Sequence, residues 1–138
     1  MSSNIRCVAI DDEPMALSVI SNFCERCGGG ELSVFTDAAE ALACLGEIRP
    51  ELVFLDIELE GSSGLDVARQ LPEDCVVVFT TAYAQYALDG YDLGVVDFLH
   101  KPFSYSRFET ALVKATAAIE YIRSRQKSAS TPKRRQAS

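Results

Sequence analysis

The chain has 138 residues, of which 48% are hydrophobic and 24% are charged, and it carries a formal net charge of −7. This length is enough for one globular domain with a sizeable core, and no apolar run approaches the length of a membrane span. Because the six charged residues after residue 122 are all basic, residues 1–122 carry a net charge of −13. We therefore expect a domain that contacts neither membranes nor nucleic acid directly, since phosphate binding depends on lysine and arginine.

Short apolar runs alternate with helix-length stretches along the chain. The runs are rich in Val, Ile and Phe, as is typical of strands buried on both faces of a parallel sheet. They span residues 5–10, 32–35, 51–56, 75–80 and 95–99. The predicted helices start at Glu13-Pro14, at Thr36 or Asp37, and at residues 65, 84 and about 104, and the last ends near Ile122. Five such alternations predict a three-layer α/β sandwich with right-handed crossovers.

Four of the predicted strands end on polar or charged residues. These residues are Asp11-Asp12, Asp56, Thr80-Thr81 and His100-Lys101-Pro102. Ligands of an open parallel sheet bind outside the carboxyl ends of its strands, so these side chains are predicted to share one crevice. Taken alone, each aspartate is most simply explained as a helix cap or a turn residue. Carboxylates held close together, however, need a cation, and hard oxygen ligands suit Mg²⁺. Lys101 beside them favours a phosphoryl group, and it is expected to pair with Asp56 when the site is empty.

Other catalytic patterns are absent from the sequence. It contains no Ser–His–Asp set, no Walker loop and no GxGxxG turn. The single histidine, His100, has no partner base and is predicted to be a surface residue.

Five cysteines are present, among them the pair Cys24 and Cys27 in CxxC spacing. That spacing occurs in redox and zinc sites, but this pair lies near the end of a predicted helix, whereas a helix dipole lowers a thiol pKa at the start. No second ligand pair stands at zinc-site spacing. We interpret the cysteines as reduced structural thiols in a cytoplasmic protein, in keeping with an N-terminus that lacks a signal-peptide profile.

Five motifs occur together, in order, between residues 5 and 122. They are Ala9-Ile-Asp11-Asp12-Glu13-Pro14, Phe54-Leu-Asp56-Ile, Gly61-Ser-Ser-Gly64-Leu, Thr80-Thr81-Ala82-Tyr83 and Phe98-Leu-His-Lys101-Pro102-Phe103. In this combination the chain resembles the response-regulator receiver domains of bacterial two-component signalling. The segments starting at Thr81 and at Val96 are most similar to receivers that precede a LytTR-type DNA-binding domain. The resemblance implies a flavodoxin-like (βα)5 sandwich whose parallel sheet has the strand order 2-1-3-4-5.

The resemblance also implies a chemistry for the predicted crevice. Asp56 would be the phospho-acceptor, receiving a phosphoryl group from a sensor histidine kinase or a phosphotransfer protein. Asp12 would bind Mg²⁺ directly, Asp11 largely through water, and Asp56 and the backbone carbonyl of Glu58 would add further ligands. Lys101 would offset the charge of the transferred group and form a cis peptide bond with the proline that follows it. Such a domain catalyses only its own phosphotransfer and autodephosphorylation.

Two further residues would form the switch. Thr81 would donate a hydroxyl hydrogen bond to the phosphoryl group, although the adjacent Thr80 leaves open which of the two threonines has this role. Phe98 would then turn inward to fill the space that the threonine leaves. The face formed by the fourth predicted helix, the fifth strand and the fifth helix would then change and would either dimerise or contact an output domain. Its expected aromatic residues are Tyr86, Tyr91, Tyr105 and Phe108.

The predicted organisation is a receiver domain over residues 1–124 and a basic, flexible tail or linker over 125–138. We expect this linker to lead to a DNA-binding output domain that the chain lacks, with a single-domain regulator as the alternative. A second alternative is a Mg²⁺-dependent phosphohydrolase with an aspartyl nucleophile, because Glu58 lies two residues after Asp56, where such enzymes carry a second acid. Glu60 departs from the family pattern, in which an apolar residue or proline is common at that position.

Overall fold

The computed structural model describes residues 4–28, 30–83 and 94–137, with side chains up to residue 127. In chain order the elements are β1 Arg6–Ile10, α1 Pro14–Arg26, β2 Glu31–Phe35, α2 Ala38–Ile48, β3 Leu52–Asp56, β4 Glu58–Leu59, β5 Ser62–Ser63, α3 Gly64–Ala68, β6 Val76–Thr81, β7 Val95–His100 and α4 Tyr105–Ala137. The helix predicted at 84–93, with Tyr86 and Tyr91, lies outside the described residues. Within the described part of the chain, no helix combines the length and apolarity that a membrane span requires.

The central sheet is parallel and has the order β2-β1-β3-β6-β7. This is the predicted order 2-1-3-4-5, because β4 and β5 form a separate two-stranded antiparallel hairpin. All five residues of β3 are buried, as expected for a central strand covered on both faces. The flavodoxin-like fold class predicted from the sequence is therefore confirmed.

Two hydrophobic clusters cover the faces of the sheet. On the α1 and α4 side, Phe54 of β3 stacks on Phe108 of α4 with ring centroids 5.3 Å apart. On the α2 and α3 side, the alternate residues of the same strands pack together, for example Val53 with Phe79. Because successive side chains of a strand point to opposite faces, each central strand supplies both clusters.

Two of the aromatic residues predicted for the switching face do not lie on it. The side chain of Phe108 is fully buried in the core. The Tyr105 ring instead contacts α1, with its centroid 5.4 Å from that of Phe23 and 3.9 Å from the guanidinium carbon of Arg26. The prediction was wrong because Tyr105 and Phe108 belong to the apolar face of α4, and this face packs against α1 and the sheet.

Helix α4 is longer than predicted. It continues to Ala137, so the expected end near Ile122 is corrected. No glycine or proline occurs between residues 123 and 131 to stop it. Arg123 also binds Glu51 through two nitrogens, each 2.7 Å from a carboxylate oxygen, and these hydrogen bonds hold the pKa of Glu51 below its usual value. The assignment of 125–138 as a linker toward an output domain stays a prediction.

Gly64 couples the fold to the acidic end of β3. Its N–H donates to the Ile57 carbonyl at 2.7 Å, and a Cβ at this position would clash with the Asp56 carbonyl oxygen and lie 2.7 Å from the Ile57 Cα. These atoms belong to the backbone, so a side chain here cannot be accommodated by a rotamer change. A glycine is required because the start of α3 passes directly against β3.

We predict that Gly64→Ala lowers the free energy of unfolding by about 2 kcal/mol or more, as overpacking against backbone does. The matched control is Gly46→Ala in α2, where nothing lies within 4 Å of the added Cβ. That variant should gain about 0.5–1 kcal/mol, because alanine favours the helix. Urea unfolding followed by circular dichroism measures both, and equal stabilities of the two variants would contradict the packing argument.

Candidate functional site

The ends of two neighbouring strands bring three carboxylates together. Asp11 follows β1 directly and Asp56 is the last residue of β3, and the two strands pair in register up to Ile10 and Leu55. Asp11, Asp12 and Asp56 each present a carboxylate oxygen within 4.8 Å of the others. Asp11 and Asp56 are buried and Asp12 is partly exposed. The crevice predicted from the strand ends therefore exists.

Lys101 reaches this cluster from the loop after β7. Its N–H donates to the Thr81 carbonyl at 2.7 Å, which fixes the backbone beside β6. Its Nζ lies 2.8 Å from Asp11 Oδ2 and 3.4 Å from Asp56 Oδ2. The expected pairing with Asp56 is present, but Asp11 is the closer partner, which the sequence did not indicate. The Lys101-Pro102 peptide bond is cis, as the resemblance implies.

Burial and mutual repulsion shift the ionisation of this cluster. Burial, and next the negative charge of Asp11, raise the pKa of Asp56 to about 7, although Lys101 opposes the shift. Burial would lower the pKa of Lys101, but the hydrogen bond to Asp11 and the charges of both acids outweigh it and raise that pKa. A divalent cation would relieve the same repulsion, because it offsets charge that one lysine leaves uncompensated.

Backbone N–H groups hold one oxygen of each acid. Asp11 and Asp56 each accept a hydrogen bond from the N–H two residues further along, at 3.0 and 3.1 Å. Asp12 accepts one from Glu60 at 2.8 Å, which draws the β4–β5 hairpin over the site. The two local hydrogen bonds, at Asp11 and Asp56, form Asx turns that fix the orientation of these carboxylates.

The two threonines at the end of β6 have different surroundings. Thr81 donates its hydroxyl hydrogen to Glu58 Oε2 at 2.6 Å and accepts from the Tyr83 N–H at 2.9 Å. Thr80 is buried, and its hydroxyl has no hydrogen-bond partner among the described residues. Thr81 is therefore the threonine whose hydroxyl reaches the polar groups of the site. The resemblance implies a role for the Glu58 backbone carbonyl, and the spacing from Asp56 suggests a second acid, but no sequence pattern indicates this side-chain contact.

Phe98 and His100 belong to β7, the strand that precedes Lys101. Phe98 of β7 is half-buried, and its ring centroid is 5.6 Å from that of Phe79. His100 is exposed, with Nε2 3.1 Å from the Ala82 carbonyl oxygen, in agreement with the predicted surface position. Next to them, Asp97 binds both terminal nitrogens of Arg107 at 2.8 and 2.7 Å, a tie between β7 and α4 that the sequence did not reveal.

The cysteines take no part in this site. All five are free. Burial raises the pKa of the Cys24 thiol to about 12, and Cys27 lies 3.2 Å from the Tyr105 hydroxyl. A thiol with a raised pKa is a poor nucleophile and a poor metal ligand, so the structure favours a structural role for Cys24 of the CxxC pair.

Comparison with known proteins agrees with this geometry. Residues 7–113 match the response regulator receiver domain family. The chain belongs to that family, the receiver domains of two-component response regulators.

Individual relatives refine the assignment. The sensory transduction protein LytT of Bacillus subtilis (strain 168) is 32% identical over 114 residues, which cover 80% of this chain and 47% of that protein. The transcriptional regulatory protein LytR of Staphylococcus aureus (strain N315) is 29% identical over 117 residues, 82% of this chain and 48% of that protein. The chain thus spans about half the length of these curated relatives.

A solved structure extends the comparison to three dimensions. It is the response regulator protein TrrA from Thermotoga maritima in complex with Mg(2+)-BeF, which has a TM-score of 0.70 and 28% identity to this chain. The match covers 80% of this chain and 98% of that one.

We predict that Asp56→Asn changes the pH dependence of stability in the absence of divalent cations. The pKa of Asp56 is raised from 3.8 to about 7, so between these values the folded protein binds more protons than the unfolded chain. Wild-type stability therefore falls as the pH rises through that window, and the variant lacks this loss. Urea unfolding at a series of pH values from about 4 to about 8 measures this difference. Over that range, the free energy of unfolding of the variant should rise by more than about 1 kcal/mol relative to that of wild type. Parallel stability curves would contradict the assigned shift.

Proposed function

We propose that Asp56 accepts a phosphoryl group from the phosphohistidine of a sensor kinase or phosphotransfer protein, in a reaction that requires Mg²⁺. The observation that carries this proposal is the cluster of three carboxylates within 4.8 Å of one another, with Lys101 Nζ 3.4 Å from Asp56 Oδ2. An all-oxygen set of this kind, two of its acids buried, fits a hard divalent cation. The Mg²⁺ complex of the Thermotoga relative supports the choice of metal.

The residues present can perform this transfer. An Asp56 carboxylate oxygen forms the new O–P bond, the P–N bond to the donor breaks, and its electron pair returns to the imidazole. Lys101, whose raised pKa keeps it charged, offsets negative charge on the phosphoryl oxygens. Asp11, Asp12, Asp56 and the Glu58 carbonyl would hold the Mg²⁺. When bound, the cation would supply positive charge to the reacting oxygens and would favour the ionised form of Asp56 near neutral pH.

The proposed response to phosphorylation involves Thr81 and Phe98. The Thr81 hydroxyl would move to the new phosphoryl oxygens, and Phe98 would turn toward the space it leaves. Phosphorylation then shifts the population between two conformations of the face around β7 and the start of α4. That face would form a homodimer contact or act on a DNA-binding output domain. The name of the LytR relative and the half-length coverage of the relatives support a transcriptional output.

We predict that acetyl phosphate with Mg²⁺ adds one phosphate to the wild-type chain and none to Asp56→Asn. The amide cannot form the acyl phosphate bond. Asp66→Asn is the matched control, because Asp66 is an exposed acid of α3 that pairs with Arg69 at 2.8 Å, away from the carboxylate cluster. Intact-mass spectrometry measures the product, and equal labelling of wild type and Asp56→Asn would overturn the assignment.

We predict that Mg²⁺ raises the thermal midpoint of wild type and has much less effect on Asp12→Asn. At a Mg²⁺ concentration about 100 times its dissociation constant, binding increases the free energy of unfolding by about 2.7 kcal/mol. The asparagine keeps an oxygen for the Glu60 N–H and removes only the charge, so the folded site stays comparable. Asp66→Asn should retain the full shift, and an undiminished shift in Asp12→Asn would exclude that carboxylate as a ligand.

A further inference from the structure

The Glu58 side chain is fixed against the end of β6 by two hydrogen bonds. Its Oε2 accepts from the Thr81 hydroxyl at 2.6 Å, and its Oε1 accepts from the Ala82 N–H at 3.4 Å. The backbone around it is held as well, since Glu58 pairs with Ser63 in the β4–β5 hairpin and its own N–H donates to Asp56 Oδ1 at 3.1 Å. The carboxylate therefore has a defined position between the hairpin and β6.

The Thr81 hydroxyl has only one proton to donate. The hydroxyl oxygen already accepts a hydrogen bond from the Tyr83 N–H at 2.9 Å, so the hydroxyl can form one further hydrogen bond as a donor. The Glu58 carboxylate at 2.6 Å is closer than the alternative acceptor, the Tyr83 carbonyl at 3.2 Å, and it carries a full charge. Hydrogen bonds to a charged acceptor are the stronger ones. In the unphosphorylated protein the proton is committed to Glu58.

A phosphoryl group on Asp56 needs the same donor. Asp56 pairs with Thr80 across β3 and β6, so Thr81 lies one residue beyond the phosphorylated position. A phosphoryl oxygen and Glu58 Oε2 cannot both accept the single hydroxyl proton. The negative charge of Glu58 also opposes further negative charge at Asp56, whose pKa it helps to raise.

We propose that the Glu58 carboxylate competes with the Asp56 phosphoryl group for the Thr81 hydroxyl, and thereby holds the receiver in its unphosphorylated conformation. This inference rests on the proposed function. Glu58 is a positioning residue in this scheme, since it acts through the Thr81 hydroxyl. Phosphorylation must break the hydrogen bond between Thr81 and Glu58, which costs free energy. Removing the carboxylate therefore favours the phosphorylated conformation.

The test measures binding of beryllofluoride, a stable analogue of the phosphoryl group, at a fixed Mg²⁺ concentration. Phosphorylation exchanges the hydrogen bond to Glu58 for one to the phosphoryl group, so the expected change is that of an average net hydrogen bond, about threefold to tenfold in affinity. Glu58→Ala should therefore bind beryllofluoride about threefold to tenfold more tightly than wild type. Glu60→Ala is the matched control, because it removes the same charge from the same hairpin, while Glu60 contacts Asp12 only through its backbone N–H.

A double-mutant cycle separates competition for Thr81 from a general charge effect. In a Thr81→Val background the charge of Glu58 persists, but the contested proton is absent. Glu58→Ala should then improve binding by less than about twofold. An equal improvement in both backgrounds would overturn the proposal, and so would an equal effect of Glu60→Ala.

A second measurement needs no phosphoryl analogue. In nuclear magnetic resonance spectra of the free protein, Glu58→Ala should shift the Ala82 amide resonance further than Glu60→Ala does, because the acceptor of that N–H is lost. If wild type binds beryllofluoride but Glu58→Ala does not bind it more tightly, this inference fails alone. If wild type neither binds beryllofluoride nor accepts a phosphoryl group, the proposed function itself fails.

Discussion

Electrostatic repulsion among three carboxylates at one edge of the sheet is the constraint on which the site depends. Asp11 and Asp56 are buried side by side, where water cannot screen their charges well, and Lys101 compensates only part of the repulsion. The raised pKa of Asp56 records the cost of this arrangement. A divalent cation would offset this repulsion, so the same negative charge that is unfavourable in the empty cluster would favour binding of a cation.

The fold tolerates this repulsion because the backbone fixes each acid independently. Parallel pairing of β1 with β3 sets the spacing of Asp11 and Asp56, and backbone N–H groups hold one oxygen of each. Gly64 lets α3 start against the end of β3, and the β4–β5 hairpin brings the Glu60 N–H to Asp12. The side chains therefore cannot relax apart without disrupting the central strands. Preorganisation of this kind lets a site stabilise charge in a reaction without rearranging.

Much of this arrangement is predictable from the sequence because it follows from buried strands. Runs such as 51–56 are apolar throughout, and the acids mark where burial stops, so both the fold and the carboxylate cluster could be inferred. Asp11, Asp56 and Lys101 were found because strand ends of a parallel sheet share one edge.

Features that depend on side-chain direction were missed. The contact between Glu58 and Thr81 needs a particular rotamer beside a two-residue strand, and residues 58–63 have the composition of a loop. The orientation of Tyr105 toward Arg26 depends on which layer the α4 stripe packs against, which periodicity alone does not specify. The length of α4 was underestimated because basic and polar residues after Ile122 suggested a linker, although none of residues 123–131 breaks a helix.

The two arginine anchors of α4 have a mechanical consequence. Arg107 forms an ion pair with Asp97 of β7, and Arg123 forms one with Glu51, the residue immediately before β3. Arg107 and Arg123 are sixteen positions apart in sequence, about 24 Å along the helix axis. Because both ion pairs attach to one continuous helix, the positions of β7 and of the segment before β3 are linked through α4. The helix continues beyond Arg123 to Ala137, so the direction of its last turns depends on where these two ion pairs hold it.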